Sequence, residues 1–348
     1  MKEEKITLAN RFKRAYTGNE HIWRLLITII LWFIFMALTR FSSFYNIATF
    51  QTVFAQFPEF GLMALGVMVC MITGGIDLST VGIANLTGIL MAMFMRTIAG
   101  AESISYMWLV VVFVLAIGIG AIAGLLNGFL ISKIGVPPIL ATLGTGVLFT
   151  GISIVITDGQ AVIGFPDTLA LTVNNTFFGI PVQFIIFAVI ATGLWFLMTH
   201  TAYGKKITML GTSQNAAKFS GLKVDQIIIK TYMISSVCSA LGGMIMLANY
   251  NTARAGFGEN YLLMCILIVV LGGVLPTGGK GKIGGVLLAI FLVRVLETGL
   301  NRFPNISGFY ISLIWGAVLL LVMTINFLEE HGTGLLKKKK EQKKSLSN

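Results

Sequence analysis

The chain has 348 residues, of which 56% are hydrophobic and only 11% are charged, and its formal net charge is +11. A soluble globular domain carries about 25% charged residues, so this composition excludes a water-soluble fold and predicts a polytopic membrane protein. Nucleic-acid binding is not indicated by the basic C-terminal tail, because no soluble module accompanies that tail.

Apolar segments of roughly 20 residues have the length that a helix needs to cross the bilayer core. The sequence predicts an all-α protein of about ten transmembrane helices, the eighth of which is short. The predicted spans are residues 23–40, 55–73, 81–98, 106–130, 137–157, 181–199, 227–248, 262–276, 283–301 and 309–328. The chain is thereby divided into a tail at 1–22, a transmembrane domain at 23–328 and a basic tail at 329–348.

Positive charge predicts the orientation, because cytoplasmic loops collect Lys and Arg. Most Lys and Arg residues lie on the side of the two termini, among them the lysines 337–340. The opposite side carries only Arg40, Arg96, Arg254 and Arg302. Both termini are therefore predicted to be cytoplasmic, with the basic tail near anionic lipid headgroups.

After the second predicted span, the sequence GGIDLS places a carboxylate between two apolar segments. Gly74 and Gly75 are suited to interrupt a helix there. Asp77 is a functional candidate, because a charge at membrane depth is costly unless it is paired or hydrated. Two interpretations stay open: Asp77 or Ser79 caps the following helix, or this segment contacts the transported solute.

Further polar and glycine-rich positions interrupt the later spans. Asn127 lies deep in the fourth span, where an amide usually bonds across a helix interface. Pro137 and Pro138 predict the start of the next helix, because the missing N–H of proline is harmless there. The segment 271–285 holds seven glycines in fifteen residues. It lacks the spacing of a phosphate-binding loop and predicts a tight connection between two spans.

The longest internal cytoplasmic segment is predicted at residues 203–226, as a loop that contains one short helix. Ser213 is suited to cap this helix, and Gly221 is suited to end it. Ala216 and Ala217 are predicted to form a small face that permits close approach. Such a helix either docks in a groove of another protein or rests as an amphipathic helix at the lipid headgroups.

Four motifs in the same order give the chain a resemblance to a known family over roughly residues 45–328. The motifs are GGIDLS at 74–79, NGFLISKIGVPPILATLGT at 127–145, GTSQNAAKFSG at 211–221 and LGGVLPTGGKGKIGG at 271–285. They resemble the membrane-spanning permease subunits of binding-protein-dependent ABC importers of the ribose type.

This resemblance implies a transport subunit without a cofactor or a catalytic site of its own. Its partners would be a cytoplasmic ATP-binding subunit, an extracytoplasmic solute-binding protein, and a second permease subunit that is identical or similar. The positions that match the family's ATPase-coupling segment are Asn215, Ala216, Ala217, Ser220 and Gly221. Candidates for the broken helix or the translocation path are Gly74, Gly75, Asp77, Ser79 and Asn127. Pentoses, hexoses, nucleosides, sugar-like signals and branched-chain amino acids all stay open as solutes.

A transporter of another class, driven by an ion gradient, also stays open. It would use Asp77 and Glu59 as ion sites in glycine-broken helices near the bilayer midplane. Two carboxylates without a chain of further acidic or histidine residues would make a sparse relay. Co-purification of a nucleotide-binding subunit would separate the two classes.

Overall fold

The computed structural model describes residues 20–99 and 104–304, and beyond them residues 310, 313–318, 320–321 and 324. Within these residues, eight helices are long and apolar enough to cross a membrane. The predicted all-α polytopic class is therefore confirmed. The predicted tail 329–348, most of the tail 1–22 and half of the tenth predicted span lie outside the described residues.

The elements follow one another in a simple order. The first half contains α1 (Glu20–Phe44), α2 (Ile47–Ile72), α3 (Thr80–Ala99), α4 (Tyr106–Phe129), a π-helical turn (Leu130–Ile134) and α5 (Pro138–Thr157). The middle contains α6 (Thr168–Val173), a hairpin of β1 (Thr176–Phe177) and β2 (Ile180–Pro181), and α7 (Val182–His200). The last part contains α8 (Ala202–Thr212), α9 (Gln214–Phe219), α10 (Val224–Tyr250), α11 (Tyr261–Leu271) and α12 (Ile283–Leu300).

Two helix boundaries differ clearly from the predicted spans. The second span was expected at residue 55, but α2 already begins at Ile47, because the Asn46 side chain caps it by accepting a hydrogen bond from the Thr49 amide at 2.7 Å. The eighth span was expected to reach residue 276, but α11 ends at Leu271. It stops there because Gly273 adopts a φ of +84°, which breaks the helical path.

A correction also applies to residues 203–226, where the sequence predicted one short helix within a loop. The structure places two helices there, α8 and α9. The Thr201 side chain caps α8 by accepting a hydrogen bond from the Tyr203 amide at 3.2 Å. Ile207 and Leu210 are buried on one face of α8, so this segment packs on the bundle rather than forming an open loop.

The helices α2 and α10 form the centre of the bundle. In each of these two helices, 83% of the most hydrophobic 18-residue segment is buried. In α1, only 17% of the corresponding segment is buried. The helices α4 and α10 pack closely against each other, because glycines recur at four-residue spacing on α4. A Cβ on Gly120 would lie 2.8 Å from the Ser236 carbonyl oxygen, and one on Gly128 would lie 2.6 Å from the Ile229 Cα. Small residues at this spacing let two membrane helices approach closely.

Candidate functional site

The segment between α2 and α3 brings Asp77 into the interior of the protein. The helix α2 ends at Ile72, and Gly74 takes a φ of +84°, so the predicted interruption at the glycine pair is confirmed. Behind it, a Cβ on Gly75 would clash with the Tyr232 hydroxyl of α10. The chain therefore passes close to α10 and leaves the Asp77 side chain fully buried.

Three hydrogen bonds satisfy the Asp77 carboxylate inside the chain. Its Oδ1 accepts from the Ser79 amide at 3.0 Å and from the Ser79 hydroxyl at 2.6 Å. Its Oδ2 accepts from the Ser235 hydroxyl of α10 at 2.7 Å. All three donors belong to the same chain.

Two further side chains extend this network to α4 and α5. The Asn127 amide donates to the Ser79 hydroxyl at 2.8 Å, and the Thr145 hydroxyl donates to the Asn127 amide oxygen at 2.6 Å. The prediction that Asn127 bonds across a helix interface is confirmed. We call Asp77, Ser79, Asn127, Thr145 and Ser235 the Asp77 cluster. It joins the entry of α3 to three other helices, while a role in solute contact stays a prediction.

Beside the Asp77 cluster, three glycine-bearing segments meet around the end of α2. The Gly279 amide donates to the Ile72 carbonyl at 2.9 Å. A Cβ on Gly211 would clash with that same carbonyl, and one on Gly278 would lie 2.7 Å from the Gly74 nitrogen. We call Gly74, Gly211, Gly278 and Gly279 the glycine junction. The sequence shows glycines in each of the three segments, but only the structure shows that these segments meet.

The short helix α9 follows Gly211 after two residues. The Ser213 hydroxyl accepts a hydrogen bond from the Ala216 amide at 3.2 Å, and Gly221 has a φ of +76°, so both predicted ends are confirmed. The predicted small face is wrong in one respect. Ala217 is only 3% exposed and packs against the chain itself, because the helix turns this side toward the bundle. Phe219, by contrast, is 93% exposed.

The remaining predicted coupling positions lie on the outer side of α9 or just after it. Those that are exposed are Asn215, Ala216, Ser220 and Gly221. Phe219 was not among the predicted positions, although a phenylalanine between the polar residues Lys218 and Ser220 indicates an exposed aromatic side chain.

A tyrosine links the same region to the central helix. The Tyr203 hydroxyl of α8 lies 3.1 Å from the Thr231 hydroxyl of α10. Burial raises the pKa of Tyr203 to about 12, although the hydrogen bond with Thr231 lowers it. The phenol is therefore neutral near pH 7 and serves as a fixed hydrogen-bonding group between α8 and α10.

A second buried carboxylate, Glu59 in α2, forms a separate cluster. Its Oε1 accepts from the Tyr261 hydroxyl at 2.6 Å and from the Tyr250 hydroxyl at 2.9 Å, and its Oε2 accepts from the Asn249 amide at 2.9 Å. We call these four residues the Glu59 cluster. Sequence reasoning named Glu59 only as an ion site, because its partners are distant in the chain.

The two clusters lie at different depths along α10. Ser235 and Asn249 are fourteen residues apart on this helix, which corresponds to about 21 Å at 1.5 Å per residue. In the described part of the chain, no group of three or more His, Cys, Asp or Glu residues could hold a metal ion. Both carboxylates accept hydrogen bonds from neutral groups of the chain.

Comparisons with known proteins agree with the motifs. A family described as branched-chain amino acid transport system, permease component, matches residues 49–326. The ribose import permease protein of Bacillus subtilis is 34% identical over 268 residues, which cover 76% of this chain and 80% of the relative. The autoinducer 2 import system permease proteins of Yersinia pseudotuberculosis and Yersinia pestis are each 31% identical over 294 residues, which cover 82% of this chain and 84% of the relative. No solved structure matches the chain.

Proposed function

Because this chain belongs to the family of permease components of binding-protein-dependent ABC importers, we propose that it forms the path of a sugar or sugar-like solute. It is a multi-pass protein of the cell membrane. The family contradicts the alternative of an ion-gradient-driven transporter that uses Asp77 and Glu59 as ion sites. Ribose and autoinducer 2, which the relatives' names give as their solutes, favour a sugar-like solute over the amino acid in the family's description.

The other parts of the importer would be separate chains. ATP would be hydrolysed by a cytoplasmic ATP-binding subunit, and an extracytoplasmic solute-binding protein would deliver the solute. A second permease subunit, identical or similar, would complete the translocation path.

The observation that carries the coupling proposal is Phe219, an aromatic side chain that is 93% exposed on a short capped helix. The positive charge of the surrounding loops predicts that α9 lies on the cytoplasmic side. Buried aromatic side chains dominate the energy of many protein interfaces. We therefore assign α9, with Phe219 as its anchor, as the contact with the ATP-binding subunit.

The contacts behind α9 support this assignment. Gly211 packs against the carbonyl of Ile72, and two residues separate Gly211 from α9. After Ile72, the chain continues to Asp77, which accepts a hydrogen bond from Ser235 of α10. A displacement of α9 would thus be transmitted through the glycine junction to the Asp77 cluster and the central helix, since closely packed backbones cannot deform independently.

The test is uptake by proteoliposomes that contain this chain with its ATP-binding and solute-binding partners. Labelled ribose and labelled leucine are offered separately, each with ATP or with an imposed ion gradient. We expect ribose to accumulate only with ATP, and Phe219→Ser to lower this uptake about tenfold or more. The matched control is Phe178→Ser at the tip of the hairpin, where the phenylalanine is 91% exposed on the predicted outer side.

Each result bears on a different part of the proposal. Accumulation of leucine but not ribose would contradict the proposed solute class and leave the coupling assignment standing. Equal loss of uptake in Phe219→Ser and Phe178→Ser would contradict the special role of α9. Uptake driven by the ion gradient without ATP would contradict the whole assignment.

A further inference from the structure

A cavity of about 470 Å³ lies between α1, α11, α12 and residues 313–318, away from both buried clusters. Its walls are almost entirely apolar and include Trp32, Leu292, Leu296 and Trp315. This cavity therefore points to an apolar occupant that is not part of the described chain.

One end of the cavity is cationic. His21 and Arg24, in the first turns of α1, line it there. The start of α1 packs on the end of α11, since a Cβ on Gly273 would lie 3.1 Å from the His21 Cγ. The loop that follows Gly273 carries Lys280 and Lys282. This end is predicted to face the cytoplasm, where the membrane leaflet carries anionic lipids.

Trp315 also forms part of the apolar wall. It is only 8% exposed, and it lines the cavity together with Ile314 and Val318.

The length of the cavity matches one membrane leaflet. From His21 to Trp32, eleven residues of α1 rise about 16 Å. Half of the hydrocarbon core of a bilayer is about 15 Å thick. The cavity therefore accommodates an acyl chain that runs from the cytoplasmic surface toward the bilayer midplane.

We propose that this cavity binds one anionic phospholipid. One acyl chain lies between α1 and α12, and the phosphate lies near Arg24 and His21.

The experiment is native mass spectrometry of the purified, delipidated protein after addition of phosphatidylglycerol or phosphatidylcholine. We expect the wild-type chain to retain one phosphatidylglycerol and to bind phosphatidylcholine more weakly. Leu296→Trp narrows the cavity between α1 and α12 and should weaken this retention. Arg24→Gln should reduce the preference for phosphatidylglycerol about fivefold, since a basic residue near a membrane surface contributes about 1 kcal/mol.

The control variant is Val110→Trp, which adds the same bulk on an exposed face of α4. It should retain the lipid like the wild-type chain. Melting temperatures of the two tryptophan variants show whether both remain folded. Wild-type retention of phosphatidylglycerol by a folded Leu296→Trp would overturn the proposal, as would equal binding of the two lipids to the wild-type chain.

Discussion

Asp77 and Phe219 both occupy places that are unusual for their chemistry, and they differ in how the chain accommodates them. Asp77 is a carboxylate with no exposed surface, and Phe219 is a phenylalanine that is 93% exposed. The chain satisfies Asp77 internally with three hydrogen bonds from Ser79 and Ser235. Nothing in the described residues covers Phe219 to a comparable degree.

The difference separates a structural role from an interaction role. A buried polar group that is fully hydrogen-bonded stabilises the arrangement of the elements that supply its partners. The exposed Phe219 side chain makes no such internal contact, and its proposed role is contact with the ATP-binding subunit. Variants at the two places should therefore fail in different ways.

The largest effect on the chain itself is expected for Asp77→Leu. This change leaves the Ser79 amide and two serine hydroxyls without their acceptor, and each unsatisfied buried donor costs about 1–3 kcal/mol. We expect a loss of about 3 kcal/mol or more, seen as a lower melting temperature and yield in detergent.

The matched control is Asp77→Asn, which should melt close to the wild-type chain. The amide oxygen still accepts from Ser79, and the Ser235 hydroxyl can turn to accept from the new N–H. Asp77→Asn should also transport normally. If it abolishes transport while assembly and expression stay intact, the charge itself is needed and the structural role is wrong.

A smaller effect is expected for Ala217→Trp. Ala217 is buried against the chain, so the added ring should overpack this contact at a cost of about 1–3 kcal/mol. The neighbouring change Ala216→Trp lies on the exposed side of α9 and should leave the melting temperature unchanged. Similar melting of the two variants would contradict the orientation of α9.

Gly221→Val should have a smaller effect again. The φ of +76° at Gly221 lies in the left-handed region, which costs a residue with a side chain about 1–2 kcal/mol. Melting curves would detect this strain, and Gly118→Val on α4 is the control, because a Cβ there meets nothing within 4 Å and φ is not positive. A Gly221→Val variant that melts no lower than this control would show that the helix end tolerates a side chain.

The sequence predicted the helices and their ends better than the contacts between them. Long apolar runs predicted the spanning helices, and Gly74, Pro138 and Ser213 predicted where helices break or begin, because these signals act within a few residues. Asn127 was correctly predicted to bond across an interface, since a buried amide must find a partner.

Contacts between distant segments could not be predicted in the same way. The glycine junction joins Gly74, Gly211 and Gly278 from three segments, and no local pattern specifies that they meet. Likewise, Glu59 gave no signal of its partners Tyr250 and Tyr261. The orientation of α9 was also missed, because six helical residues are too few for periodicity to tell the side of Ala217 from that of Phe219.

The most direct measurement is the affinity of the ATP-binding subunit for this chain, with the melting temperature of each variant measured alongside. Phe219→Ser should leave the melting temperature unchanged and lower the affinity about tenfold or more, since burying a phenylalanine contributes about 1.5–3 kcal/mol. Phe178→Ser should leave both unchanged. Wild-type affinity in Phe219→Ser would contradict the claim that α9 couples this permease to ATP hydrolysis.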